Sequence, residues 1–205
     1  SGRIAPQILR LAMPVLLGLV FQRIYNFADS YIVGHFLGDN ALAAVSVAGV
    51  GMYLVFSLII GLPTGVTVVM SQYYGAKEED KVVKTFFSSI FIALGMTILV
   101  TLIGLLTTRP LLIVLQTPAE VLDAAVLYLR IICAGSVGTM LYNWISAVLR
   151  SLGNSVVPLI FLGISSLLNI VFDILFVAVI PMGVGGAAFA TVLAQIISGV
   201  ACLLY

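Results

Sequence analysis

The sequence predicts an all-α, polytopic membrane protein, a bundle of six transmembrane helices forming one lobe over residues 1–205, and three observations predict it. Hydrophobic residues fill 62% of the 205 positions and charged residues only 8%, against roughly half and a quarter in soluble domains. The mean hydropathy is +1.25. The apolar residues also come in runs far longer than the ~10-residue alternating segments of a membrane barrel strand. A surface this poor in charge aggregates in water. In hydrocarbon every backbone group must pair internally, which leaves the helix as the spanning element and lipid as the solvent.

A span needs ~20 apolar residues to cross ~30 Å of hydrocarbon. The first run, 8–36, carries Pro14 and ends at Gly38-Asp39-Asn40. The second, 41–74, contains Gly61-Leu62-Pro63-Thr64-Gly65, where Pro63 removes one backbone bond and makes either a hinge or a fixed kink. Lys77-Glu78-Glu79-Asp80-Lys81 is the clear hydrophilic loop. The third run is 83–107, and Arg109-Pro110 opens a connector with room for a short interfacial helix over 111–115. Thr117-Pro118-Ala119-Glu120 reads as the start of the fourth run, 118–149, with Thr117 as its cap. A turn over 150–155 leads to the fifth run, 156–180. Pro181, Gly183, Gly185 and Gly186 then turn the chain into the sixth, 186–205. Most of the 19 glycines read as sites of close helix packing.

Positive charges in short loops set orientation. With the N-terminus inside, Arg3, Arg10, Lys77, Lys81, Lys84 and Arg150 collect on one side and Arg109 alone on the other. Both termini are therefore expected in the cytoplasm, with the chain in the cell (inner or plasma) membrane. A net charge of +1 and the lack of a basic patch argue against nucleic acid as a partner. Cys133 and Cys202 lie in apolar runs and read as small buried hydrophobes. His35 is the lone histidine and stands at a span end, so there is no Ser–His–Asp set. Neither Cys/His metal spacing nor a Gly-Lys-Ser phosphate loop occurs. No enzyme and no organic cofactor is expected.

Chemistry concentrates in two buried acids. An aspartate at mid-bilayer costs about 2.5–3.5 kcal/mol on insertion scales, and Asp29 and Asp173 both fall inside apolar runs. Gln22, Tyr25, Asn26 and Asp29 recur at helical spacing as a polar stripe. Asn169 and Asp173 are four apart and share a face. Thr191 follows the Gly-rich turn at a similar depth, so that three helices place oxygen ligands roughly 7–11 Å beneath the outer surface. An all-oxygen set suits a hard cation, and two carboxylates in one pocket equally suit a shared proton. The alternative is that these groups only bridge helices by hydrogen bonds. Arg23, some 120° around the helix from Asp29, reads as a snorkelling or structural residue. Arg130 either faces a cavity or pairs with Glu120 or Asp123.

Several stretches together resemble the multidrug and toxic compound extrusion (MATE) transporters. They are Tyr25-Asn26-x-x-Asp29 with Val33-Gly34 and Leu42-Ala43-Ala44-Val45; Gly61-x-Pro63-x-Gly65 with Ser71-Gln72-x-x-Gly75-Ala76; Leu149-Arg150-x-x-Gly153-Asn154 with Asn169-x-x-x-Asp173; and Gly186-Ala187-Ala188-x-Ala190-Thr191. The match runs along essentially the whole chain. It implies a twelve-helix, two-lobed antiporter that exports organic cationic or amphipathic drugs against entry of the coupling ion, Na+ or H+. This chain resembles the N-terminal lobe, with the C-terminal lobe, or a second copy, as its partner. By the resemblance the ion site falls on Asp29, Asn169, Asp173 and Thr191, with the Ala187 carbonyl as a further ligand, and a substrate cavity on Gln22, Tyr25, Asn26 and Asn143. Pro14 matches a proline associated with bending of the first span. Two other readings remain: a lipid-linked oligosaccharide flippase of the same superfamily, for which Arg23 and Arg130 are the only candidate pyrophosphate ligands, and an isolated lobe or homodimer without transport.

Overall fold

The computed structural model describes residues 4–205, and the side chains of all of these except 4–8, 10, 11 and 58–60. Arg3 and the side chain of Arg10, counted toward the expected orientation, lie outside the described residues. The fold is all-α: α1 (Ile4–Leu37), α2 (Asp39–Gly75), α3 (Glu79–Val114), α4 (Ala119–Ala134), α5 (Ser136–Ser151), α6 (Val156–Asp173) and α7 (Gly183–Leu204), with a π-helical segment, Ile174–Val179, prolonging α6. Helices of 34 to 37 residues span about 50–55 Å at 1.5 Å per residue, more than the hydrocarbon core. Among the described residues four helices are long and apolar enough to cross a membrane, or five when α4 and α5 count as one bent span.

Apolar side chains point both ways. Leu112, Leu129, Val33 and Val100 are fully buried between helices, while Phe27, Phe91 and Leu106 are about three-quarters exposed. In water that outer surface would be untenable; against lipid it is the ordinary solvent-facing side. α2 packs on α1, α3, α4 and α5, and α7 packs on α4, α5 and α6, so these two rods tie the bundle together.

Three local expectations are corrected. Pro110 opens no connector: α3, expected to stop at 107, runs through it to Val114, forgoing only the one backbone bond that the proline nitrogen cannot donate. Thr117 is not a cap; its hydroxyl donates to the Leu112 carbonyl at 2.7 Å, and α4 begins after Pro118 without a side-chain cap. The run 118–149 is two helices bent by 48°. The bend falls at Gly135, where a Cβ would stand 2.3 Å from Val192 of α7. α2 is one helix through Pro63.

Candidate functional site

Asp29 on α1 and Asp173 at the end of α6 are 7% and 0% exposed. Their carboxyl groups interact directly. Asp29 Oδ1 and both oxygens of Asp173 are buried and receive no hydrogen bond. Asn169, one turn before Asp173, donates from Nδ2 to Thr191 Oγ1 at 3.2 Å. Thr191 donates in turn to the Ala187 carbonyl at 3.2 Å. The direction of the first bond leaves Asn169 Oδ1 buried and unsatisfied as well. Four acceptor oxygens without donors thus belong to three neighbouring residues, each normally worth ~1–3 kcal/mol to satisfy.

The backbone around Asp173 explains how α7 comes so near. In the π segment the chain widens, the Ile180 amide bonding to the Leu175 carbonyl and the Met182 amide to the Phe176 carbonyl. The first turn of α7 lies on that widened turn. A Cβ at Gly186 would stand 2.8 Å from the Phe176 oxygen, so only glycine admits this approach. Ala187 follows, fully buried, and one turn later Thr191 faces Asn169.

The site also contains a residue that sequence reasoning missed. Tyr128 of α4, 5% exposed, lies against Thr191 and close to Asp29, Asp173 and Tyr25. A tyrosine in an apolar run carries no signal of its own; only the packing of α4 on α7 brings it here. Among the described residues no group of three or more His, Cys, Asp or Glu side chains is placed to hold a metal ion. Two carboxylates with neutral oxygens lack the nitrogen and sulfur donors of a transition-metal centre and suit a hard cation or a proton.

Beside the acids lies a cavity of about 80 Å³. It takes in Gln22, Tyr25 and Asn143 of the expected substrate set, and Asn169 and Thr191 of the expected ion set. Thr139, Ser165, Ser166 and Gln195 line it too, again missed because neutral polar residues in membrane helices commonly serve only as links. Asn143 donates to the Thr139 carbonyl at 2.7 Å, and the Thr139 hydroxyl donates to the Gln195 side chain. Asn26 does not join them: it is exposed and outside the cavity lining, since it lies about 60° around α1 from Asp29 at 100° per residue. Arg23 and Arg130 are exposed and also outside the cavity. Asp123, expected near Arg130, pairs instead with Arg109 at 2.9 Å. His35 is exposed and stacks on Tyr31.

Residues 14–175 match the MatE family. The "Probable multidrug resistance protein YpnP" of Bacillus subtilis is 35% identical over 196 residues, covering 95% of this chain and 44% of that protein. The "Probable multidrug resistance protein NorM" of Thermotoga maritima is 28% identical, covering 95% of this chain and 42% of that one. A crystal structure described as MATE in the bent conformation superposes with a TM-score of 0.91 at 27% identity, covering 98% of this chain and 45% of the other. The chain therefore spans less than half the length of the relatives it matches.

Proposed function

We propose, since the chain belongs to the MatE family of membrane transporters, that it is the N-terminal lobe of a cation-coupled multidrug efflux antiporter and carries the coupling-ion site. The relatives reported above are named for multidrug resistance. The observation that carries the coupling role is the cluster of four buried, donorless oxygens on Asp29, Asn169 and Asp173. A fold gains nothing from burying two acceptors side by side; a cation or a shared proton satisfies them at once. Thr191 and the Ala187 carbonyl complete the ligand set. The ion, Na+ or H+, binds here as the pair is exposed to one side of the membrane and leaves after exposure to the other. Both termini lie in the cytoplasm, and the drugs pass between this lobe and the C-terminal one.

Arg23 and Arg130 stand apart from the polar cavity, so no observation favours the flippase reading. The test is export by the complete transporter in inverted membrane vesicles, driven by an imposed sodium or proton gradient. Asp29→Asn and Asp173→Asn should each abolish gradient-driven drug movement while leaving the protein in the membrane. Undiminished export by either variant refutes the coupling role.

A further inference from the structure

Arg23 carries a charge that the acid site does not use. It stands near the middle of α1, with about 21 Å of helix between it and Leu37 on one side and Leu9 on the other. Exposed apolar side chains continue past it in both directions, from Leu9 and Leu16 to Phe27 and Phe36. The hydrocarbon core reaches ~15 Å to either side of its middle, and an arginine side chain covers only about half of that. Snorkelling therefore does not bring Arg23 to the headgroups. Charges at this depth occur where another group pairs with them. Among the described residues Arg23 forms neither an ion pair nor a hydrogen bond.

Its surroundings are one wall of a contact. Arg23 shares an open hollow of about 500 Å³ with Leu16, Leu19, Val20, Ile24 and Phe27, and all six belong to α1. α1 turns other sides of its surface to α2, α6 and α7. Asn26 lies three residues on, and so beside Arg23 on the helix surface. It too is exposed, and its amide makes no hydrogen bond among the described residues. A guanidinium fork and an amide N–H₂ on one face suit a single acceptor with two oxygens and a negative charge.

Depth sorts the sources of that acceptor. Lipid phosphates are out of reach. A second copy of this chain brings no free acid to mid-bilayer: Asp39, Glu78, Glu79, Asp80, Glu120 and Asp123 lie at or near helix starts, and Asp29 and Asp173 are buried. There remains the part of the complete protein outside this chain, which covers less than half the length of its relatives.

We propose that Arg23, with Asn26 beside it, is a docking point for the second lobe: an Asp or Glu from one of its spans enters the hollow and pairs with the guanidinium, while apolar residues of the same helix cover Leu16, Val20 and Phe27. A lone polar pair in an apolar contact also fixes the register of the two helices. The inference rests on the reading of this chain as one lobe of a two-lobed transporter, and holds for either coupling ion.

The experiment uses the complete purified transporter with its native cysteines, Cys133 and Cys202 among them, replaced by alanine. Arg23→Cys is combined with single cysteines placed in turn at each Asp and Glu in the spans of the second lobe, and the products of mild oxidation are separated by electrophoresis. One combination should cross-link within a single chain. Asn26→Cys should cross-link at the same position or one turn away, which covers failure of Arg23→Cys to fold. With cysteines absent, Arg23→Glu should lower the melting temperature by several degrees. Changing the cross-linking acid to lysine in that variant should restore about half of the loss or more, the sign of direct coupling in a double-mutant cycle. No cross-link to a second-lobe acid, or no rescue, overturns the proposal. So does a cross-link joining two chains, which assigns the face to a second copy. A melting loss seen only with anionic phospholipid assigns it to lipid, and a loss of drug affinity at unchanged melting temperature assigns it to substrate; either result overturns the docking point. Asp29→Asn keeps the two readings apart: export that survives it refutes the coupling site and leaves the Arg23 contact standing, whereas a complete protein without a second lobe refutes the two-lobed reading itself.

Discussion

The Asn169 amide nitrogen stands 3.2 Å from the Thr191 hydroxyl, and this bond joins α6 to α7 just beneath Asp173. The amide donates, so its oxygen remains an unpartnered acceptor, as do the buried oxygens of the acid pair. Asn169→Leu keeps the approximate volume and removes both functions. Ion affinity of the complete transporter should fall by at least ~10-fold, the loss of one buried charge-assisted ligand at about 1.5–3 kcal/mol. Equilibrium sodium binding and proton uptake measure it; an unchanged affinity would place Asn169 among purely structural links.

Neutralising one acid should stabilise the fold while removing its function. Asp29 and Asp173 interact at close range with buried, donorless oxygens, and an amide in place of one carboxylate supplies the missing donor. In sodium-free alkaline buffer, Asp173→Asn should melt several degrees above the parent protein. Calorimetry or a fluorescence melt reads the effect, and a lower melting temperature would show that the carboxylates are bound by groups not yet recognised.

Tyr128 tests whether the missed residue matters to the ion. It lies against Thr191 and near both acids, and its ring is part of the core. Tyr128→Phe keeps the ring. Loss of one hydrogen bond of about 1 kcal/mol predicts roughly fivefold weaker ion binding with the melting temperature nearly unchanged. A variant that melts much lower but binds normally would make the hydroxyl a structural strut.

Gly186→Ala should push α7 away from the widened turn. The added carbon meets the Phe176 carbonyl oxygen at 2.8 Å, and backbone cannot step aside as a side-chain tip does. Overpacking of this kind costs about 1–3 kcal/mol, and Ala187 and Thr191 ride on the displaced turn. Lower thermal stability together with weaker ion binding is the expected result. Normal behaviour in both would mean that the π segment yields easily.

Arg109 and Asp123 make the contrasting case. Their ion pair is 2.9 Å long, but the side chains are 53% and 81% exposed. Exposed pairs are worth about 0–1 kcal/mol, so Arg109→Ala should leave melting temperature and transport within error. A large loss in either would require a partner for Arg109 beyond the described residues.

Part of this site was legible in the residues. Asp29 with Gln22 and Tyr25, and Asn169 with Asp173, stand out because charge and amide in an apolar run are expensive and recur at helical spacing. Asn26 shows the limit of the stripe argument, since an added 60° of rotation took it to the outside. Thr139, Gln195 and Tyr128 gave no warning; each is an unremarkable polar residue until another helix is laid beside it. The break at Gly135 was equally silent, with no proline to mark it, because it is set by Val192 on a helix nearly sixty residues away.

The order of residues by itself determined the solvent and the helices: apolar length sets what can cross hydrocarbon, and backbone bonding within one segment needs no neighbour to close. It also exposed the two acids, whose cost depends on burial in any arrangement. Which faces meet was decided only by tertiary packing. The turn widened after Asp173, the glycine admitting α7 and the Asn169–Thr191 bond are all properties of helices against helices. Side-chain contact depends on the rotation and tilt of two rods, and neither is written in the period of one.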